Sequence, residues 1–227
     1  MTIWQLARKI TMIWRQRGWA GVARAIRSLI YHRAIMLRFV ADLGSWAPPP
    51  ATIPNTVGVQ TDIGVRPGTL DELALLRGRD RGDVLPLELH LNRVHGVSCF
   101  WLAWLDGELA GILWVFGPED PAPFVRLQED EREIRMVHVL RKFRGKGVAT
   151  AMRKAALYSL KADGVRRVYA HVRTDNRAAL KPPQRSGMHP IGLLETRRML
   201  GVTTRRFTPF ALPWSSAATT VGWTAGS

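Results

Sequence analysis

Between residues 57 and 210 the sequence predicts an α/β (α+β) domain. Strand-like and helix-like patterns alternate along that stretch, and the composition, 46% apolar and 22% charged, is that of a packed globular chain. The 227 residues allow one domain with extensions rather than two full domains.

Charge and cysteine use narrow the function classes. Lys and Arg number 33 against 18 Asp and Glu, a net charge of +15, and the pI is near 11.3. Such a chain is drawn to polyanions: nucleic acid, anionic lipid or phosphorylated small molecules. Cys99 is the only cysteine, which excludes an internal disulfide and a Cys-rich zinc site. No apolar run approaches the ~18 residues of a spanning helix. Arg8, Lys9, Arg15 and Arg17 interrupt any signal-peptide core. The expectation is a cytoplasmic protein that does not cross a membrane.

Four zones follow from patterning. Residues 1–47 carry eight basic residues and no acid before Asp42, with apolar residues at helical spacing (Ile3, Leu6, Ile10, Ile13, then Val22, Ile26, Leu29). This predicts a basic amphipathic helical segment broken near Gly18 and Gly21. Residues 48–56, with Pro48–Pro50 and Pro54, read as a stiff linker. Residues 57–210 form the domain, and 211–227 a mobile tail.

Within the domain, Val57–Val65 reads as a strand. Thr69 and Glu72 form a capping box that opens a helix to about Arg79. Pro86 opens a second helix through Arg93. Residues 98–116 are two strands around the turn Asp106-Gly107. Glu133–Leu140 is a strand, followed by a Gly-rich turn and a helix to Asp163, with Gly164 as its cap. Val165–Val172 is a strand, and Asn176 to Arg185 a helix disturbed by Pro182 and Pro183. The last strands fall near 188–194 and 202–210.

The stretch with chemical content is the strand, turn and helix through Arg144-Gly145-Lys146-Gly147. Glycines let backbone approach a ligand closely. Open N–H groups and the dipole at a helix start favour phosphate, and Arg144 and Lys146 add charge. The spacing fits neither a Gly-x-x-x-x-Gly-Lys phosphate loop nor a Gly-x-Gly-x-x-Gly dinucleotide turn.

What the stretch resembles is the acyl-CoA loop of the GNAT superfamily of N-acyltransferases, Arg/Gln-x-x-Gly-x-Gly/Ala, matched by Arg144, Gly147 and Ala149. The resemblance covers about 57–210. Arg66-Pro67 to Asp71, the Asp106-Gly107 hairpin with Ala110-Gly111, and Asn176, Ala179 and Gly187-Met188 extend it. It implies a twisted mixed sheet flanked by helices, splayed between its fourth and fifth strands, with acyl-CoA in the gap. It also implies roles. Val137 and Val139 would offer backbone groups to the pantetheine arm. Arg144, Gly145, Lys146, Gly147, Val148, Ala149 and Thr150 would hold the pyrophosphate through backbone N–H. Asn176 would contact pantetheine or orient the thioester.

Catalysis requires a proton acceptor for the amine. Glu133 lies where many members of the superfamily place a glutamate, and strict strand alternation puts it on the face of Val137 and Val139, with His138 opposite as the second candidate base. The superfamily's tyrosine acid falls on Pro183, so Tyr169 or Tyr158 would have to replace it, or no dedicated acid exists. Trp101, Trp104 and Trp114 read as core packing. The histidines show no metal-ligand spacing, so no metal is expected.

The implied function is acyl-CoA-dependent N-acyl transfer, acetyl by default or a longer acyl chain, to an amine of a small molecule or protein by direct attack in a ternary complex. The competing reading is a catalytically degenerate GNAT domain serving as a membrane-surface adaptor. Residues 1–40 would dock on an anionic membrane or a partner, or act as a transit peptide. No nucleic-acid-binding module is recognised.

Overall fold

The computed structural model describes residues 18–19, 31–47, 63–79, 87–90, 92, 96–120, 124–199 and 202–210. The segment up to residue 30 that the sequence predicts to be helical (apart from Gly18 and Trp19), the expected linker 48–56 and the expected tail 211–227 lie outside these residues. Among the described residues, no helix is long and apolar enough to cross a membrane.

Eight strands form one sheet in the order β2-β3-β4-β5-β6-β1-β7-β8. They are β1 (Tyr31–Asp42), β2 (Ile63–Pro67), β3 (Phe100–Leu105), β4 (Glu108–Phe116), β5 (Glu131–Val139), β6 (Arg167–Arg173), β7 (His189–Met199) and β8 (Val202–Pro209). Helices whose bounds fall among the described residues are α1 (Leu70–Arg79), α2 (Val148–Ala162) and α3 (Arg177–Arg185). This is the mixed α/β architecture the sequence predicted.

The largest departure is β1. The sequence reading placed residues 31–47 in the helical extension and began the domain at 57. The chain instead runs Tyr31–Asp42 as an inner strand, antiparallel to both β6 and β7. Phe39, Ala41 and Leu43 are buried on one face and Ala34, Met36 and Arg38 on the other. Arg33 and Ile35 are exposed, but from Leu37 to Ala41 the strand is covered on both faces, and an apolar run of that kind has no clean alternation to distinguish strand from helix. The domain therefore begins no later than Tyr31, residues 48–56 lie between two of its strands, and residues 31–40 are not a membrane-facing helix.

Local signals mostly act as expected. Asp106 and Gly107 have φ of 53° and 76°, the left-handed pair that a two-residue hairpin turn requires. Glu72 N–H donates to Thr69 Oγ1 at 3.2 Å. The Glu72 carboxylate, however, accepts from Arg66 at 2.9 Å, so half of the capping box is replaced by an ion pair. Of the helix expected from Pro86, Leu87–His90 is a single 3₁₀ turn.

Two apolar layers sandwich the sheet. Trp101, Leu113, Val115, Ile134, Met152, Ala156 and Leu157 pack on the α2 side with Phe39 and Trp46. Leu73, Phe100, Leu102, Ile112, Trp114 and Phe116 fill the other. Trp101 and Trp114 are thus core residues, each contributing on the order of 2–3 kcal/mol by burial.

Candidate active site

The site arises where two strands part company. β5 and β6 pair in parallel only from Glu131↔Arg167 to Ile134↔Ala170. Beyond that, β5 stays with β4 and β6 stays with β1. The gap between them is the splay the resemblance implied, between the strands now numbered β5 and β6.

A bulge sits at the vertex. Arg135 pairs with Trp114 and His138 with Ile112, so Met136 and Val137 together oppose Leu113. Met136 takes φ of 50°, rare outside glycine. The extra residue shifts the alternation. Glu133, Arg135 and His138 now share the face of Ile112, Trp114 and Phe116, and Val137 and Val139 share the other. The expectation that Glu133 sits with Val137 and Val139, opposite His138, is corrected by this bulge.

A cleft of about 630 Å³ runs from the gap to the start of α2 and along α3, and its lining includes Val137, His138, Val139, Gly147, Arg153 and Asn176. Gly145 and Gly147 have φ of 82° and 84°, and Gly147 is the left-handed residue capping α2. Thr150 and Ala151 N–H both donate to Gly147 O at 3.0 Å. The first intrahelical bonds therefore start there, and Val148 and Ala149 N–H remain for a ligand. No acid occupies the first turn of α2, which leaves its positive end uncompensated.

The individual assignments divide. Gly145, Gly147, Val148 and Ala149 all line the cleft. Thr150 lines it too, but its N–H is already used by Gly147 O, and Arg144 N–H donates to Arg141 O at 3.3 Å. Arg144 Nε also donates to Val139 O at 3.1 Å, so this side chain braces the turn against the strand. Lys146 is exposed beside the Phe143 ring, 5.6 Å away. Asn176 lines the cleft, and its Oδ1 caps α3 by accepting from Ala179 N–H at 3.2 Å.

Pro182 and Pro183 lie inside α3. Lacking N–H, they leave the carbonyls of Ala178 and Ala179, both cleft residues, without the usual i+4 donor. The prolines that disturbed the helix pattern thereby create acceptors at the site.

Of the candidate bases, His138 lines the cleft, whereas Glu133 is fully buried. Glu133 accepts from Phe124 N–H at 2.8 Å and holds His171 Nδ1 at 3.0 Å, with Arg135 Nε at 3.7 Å. Arg38 Nε donates to His171 Nε2 at 2.9 Å, so the proton of His171 sits on Nδ1 and points at Glu133. Tyr169 donates to Glu131 at 3.1 Å, and burial raises its phenol pKa. Tyr158 stacks edge-on against Trp46 at 5.0 Å. Neither tyrosine lines the cleft. Sequence reasoning missed Arg38, His171 and Arg153. Only Arg153 carried a local signal, three residues after Thr150 on the same helical face.

Burial lowers the His171 pKa and outweighs the opposing pull of Glu133. The unfolded chain therefore binds more protons than the folded one as pH drops below the unfolded value, about 6.5. Stability from this group is complete above that pH and is lost as pH falls through it. The Tm of the wild type should fall between pH 7 and 5.5 more steeply than that of His171→Gln. Parallel slopes would refute the neutral-histidine assignment.

The sequence model of the acetyltransferase (GNAT) family matches residues 71–188, just over half of the chain. The chain belongs to the GNAT acetyltransferase family. Among solved structures, the GNAT domain resembles a GCN5-related glucosamine N-acetyltransferase region in a fungal multidomain β-N-acetylglucosaminidase (16% identity, 76% of this chain and 22% of that one, TM-score 0.54). It also matches a GCN5-related N-acetyltransferase from Sphaerobacter thermophilus (18%, 88% and 60%, 0.47). A third match is a GNAT-family protein from Novosphingobium aromaticivorans (17%, 72% and 63%, 0.45). The chain spans about three fifths of the length of these last two. At these identities the likeness concerns the fold. No curated protein matches the sequence.

Proposed function

We propose that this GNAT protein transfers an acyl group, acetyl by default, from acyl-CoA to an amine in a ternary complex. The observation that carries this is the cleft itself: a gap between parted strands that ends at an uncompensated helix N-terminus. Its residues fit the donor. Gly145, Gly147, Val148 and Ala149 cradle the pyrophosphate, the Asn176 amide and the Ala178 and Ala179 carbonyls face the pantetheine amides, and Val137 and Val139 form the strand edge.

When bound, acetyl-CoA supplies an electrophilic thioester carbon. His138, the one candidate base in the cleft, takes the proton from the attacking amine. Backbone N–H groups freed at the Met136–Val137 bulge stabilise the developing oxyanion. Because neither Tyr158 nor Tyr169 lines the cleft, the thiolate leaves without a dedicated tyrosine acid.

With acetyl-CoA and a panel of amines, His138→Ala should lower kcat roughly 10²- to 10⁴-fold with little change in the Kd for CoA. Unchanged kcat would remove His138 from this role. The missing tyrosine also favours a second reading, a CoA-binding adaptor. Micromolar CoA binding with no acyl transfer to any amine would select it.

A further inference from the structure

Arg153 has no place in the function above. It lies on α2, three residues past Thr150, and is only 6% exposed. Its Nε and Nη1 are buried with no hydrogen-bond partner, yet the residue lines the cleft. An unpaired buried guanidinium is strongly unfavourable unless something pairs with it. Desolvation alone brings its pKa down to about 10, with no anion among the described residues opposing it. Lys181 and Arg185 of α3 line the same cleft, so the surroundings are cationic and the missing partner is an anion.

Arg153 lies six residues beyond Gly147, about 9 Å along the helix axis, past the first turn in which the dipole and open N–H groups act. Its side chain leans back toward the N-terminus, so the guanidinium extends the anion-attracting surface of the cleft beyond the open N–H groups. Such a surface suits a ligand that carries more than one anionic group. CoA does: a pyrophosphate, and a phosphate on the ribose 3′ oxygen.

Resting on the acyl-CoA reading of the cleft, we propose that Arg153 is a second anion site that binds the 3′-phosphate of the donor, so that the protein selects CoA over donors lacking it. The planar fork of Arg suits a phosphate in bidentate fashion. Lys181 and Arg185 add long-range attraction at the rim.

The test is calorimetric titration of the wild type, Arg153→Met and Arg153→Lys with CoA, 3′-dephospho-CoA and pantetheine 4′-phosphate. The wild type should bind CoA roughly 10- to 100-fold tighter than 3′-dephospho-CoA, the range of a charge-assisted hydrogen bond. Arg153→Met should lose most of that ratio while keeping wild-type affinity for 3′-dephospho-CoA. Arg153→Lys, a charge without the fork, should keep part of it. An unchanged ratio in Arg153→Met overturns the proposal. So does an equal loss for CoA and 3′-dephospho-CoA, which would put Arg153 on another group, such as a carboxylate of the acyl chain or the pyrophosphate. Ligand-free Arg153→Met should unfold no lower than the wild type, because an apolar side chain replaces an unpaired charge. A clearly lower Tm would reveal a protein partner and also overturn it. Failure of the wild type to bind CoA at all is a different result and sinks the acyltransferase reading instead.

Discussion

Gly147→Trp is expected to abolish CoA binding, weakening it at least about 100-fold, while the sheet remains folded. Two effects combine. Gly147 sits at φ of 84°, a conformation that costs an L-residue roughly 1–2 kcal/mol. A Cβ there meets nothing within 4 Å, so the protein itself does not reject a side chain. An indole, however, would stand at the entrance to the open N–H groups of Val148 and Ala149, where the proposed function puts the pyrophosphate. Gly147→Ala separates the two effects, because it adds the strain without the bulk, and should weaken binding by only about tenfold. Titration with CoA reads both variants. Wild-type affinity in Gly147→Trp would show that the α2 N-terminus is not the binding site.

Glu133→Ala should be the most destabilising single change near the site. The carboxylate is fully buried, and it joins Phe124 N–H, His171 and Arg135. Its removal leaves a buried N–H and an imidazole N–H unpaired, beside a guanidinium packed at 4.3 Å on the Phe124 ring. Breaking such a cluster from one side costs about 3–5 kcal/mol. For a chain of this size that corresponds to a fall in Tm of about 6–20 °C. Glu133→Gln keeps an acceptor for Phe124 N–H and should fall less. A loss of turnover of about 10³ in Glu133→Gln with unchanged Tm would instead make Glu133 the base, and would displace His138.

Both expectations depend on which parts of the chain speak locally. The glycine turn was legible because its requirements are local: positive φ at Gly145 and Gly147, then a helix start with no acid. The Asp106-Gly107 hairpin and the Asn176 cap were legible for the same reason. The catalytic faces were not. One bulge at Met136–Val137 reverses the side of every later residue on β5, and nothing in Arg-Met-Val-His announces an extra residue in the ladder, because the bulge is defined against β4.

The sequence by itself determined the α/β class, the GNAT resemblance, the glycine turn that opens α2 and the absence of a tyrosine at position 183. These rest on short-range patterns: turn residues, caps and the periods of helix and strand. Only the tertiary structure decided that Tyr31–Asp42 is an inner strand, that Glu133 belongs to a buried network with His171 and Arg38, and that Arg153 is an unpaired cation in the cleft. Each of these is a relation between segments remote in sequence. Residue 38 meets residue 171, and residue 133 meets residues 124 and 171. Burial and pairing of that kind are set by where the sheet brings strands together, and no single stretch of the chain encodes them.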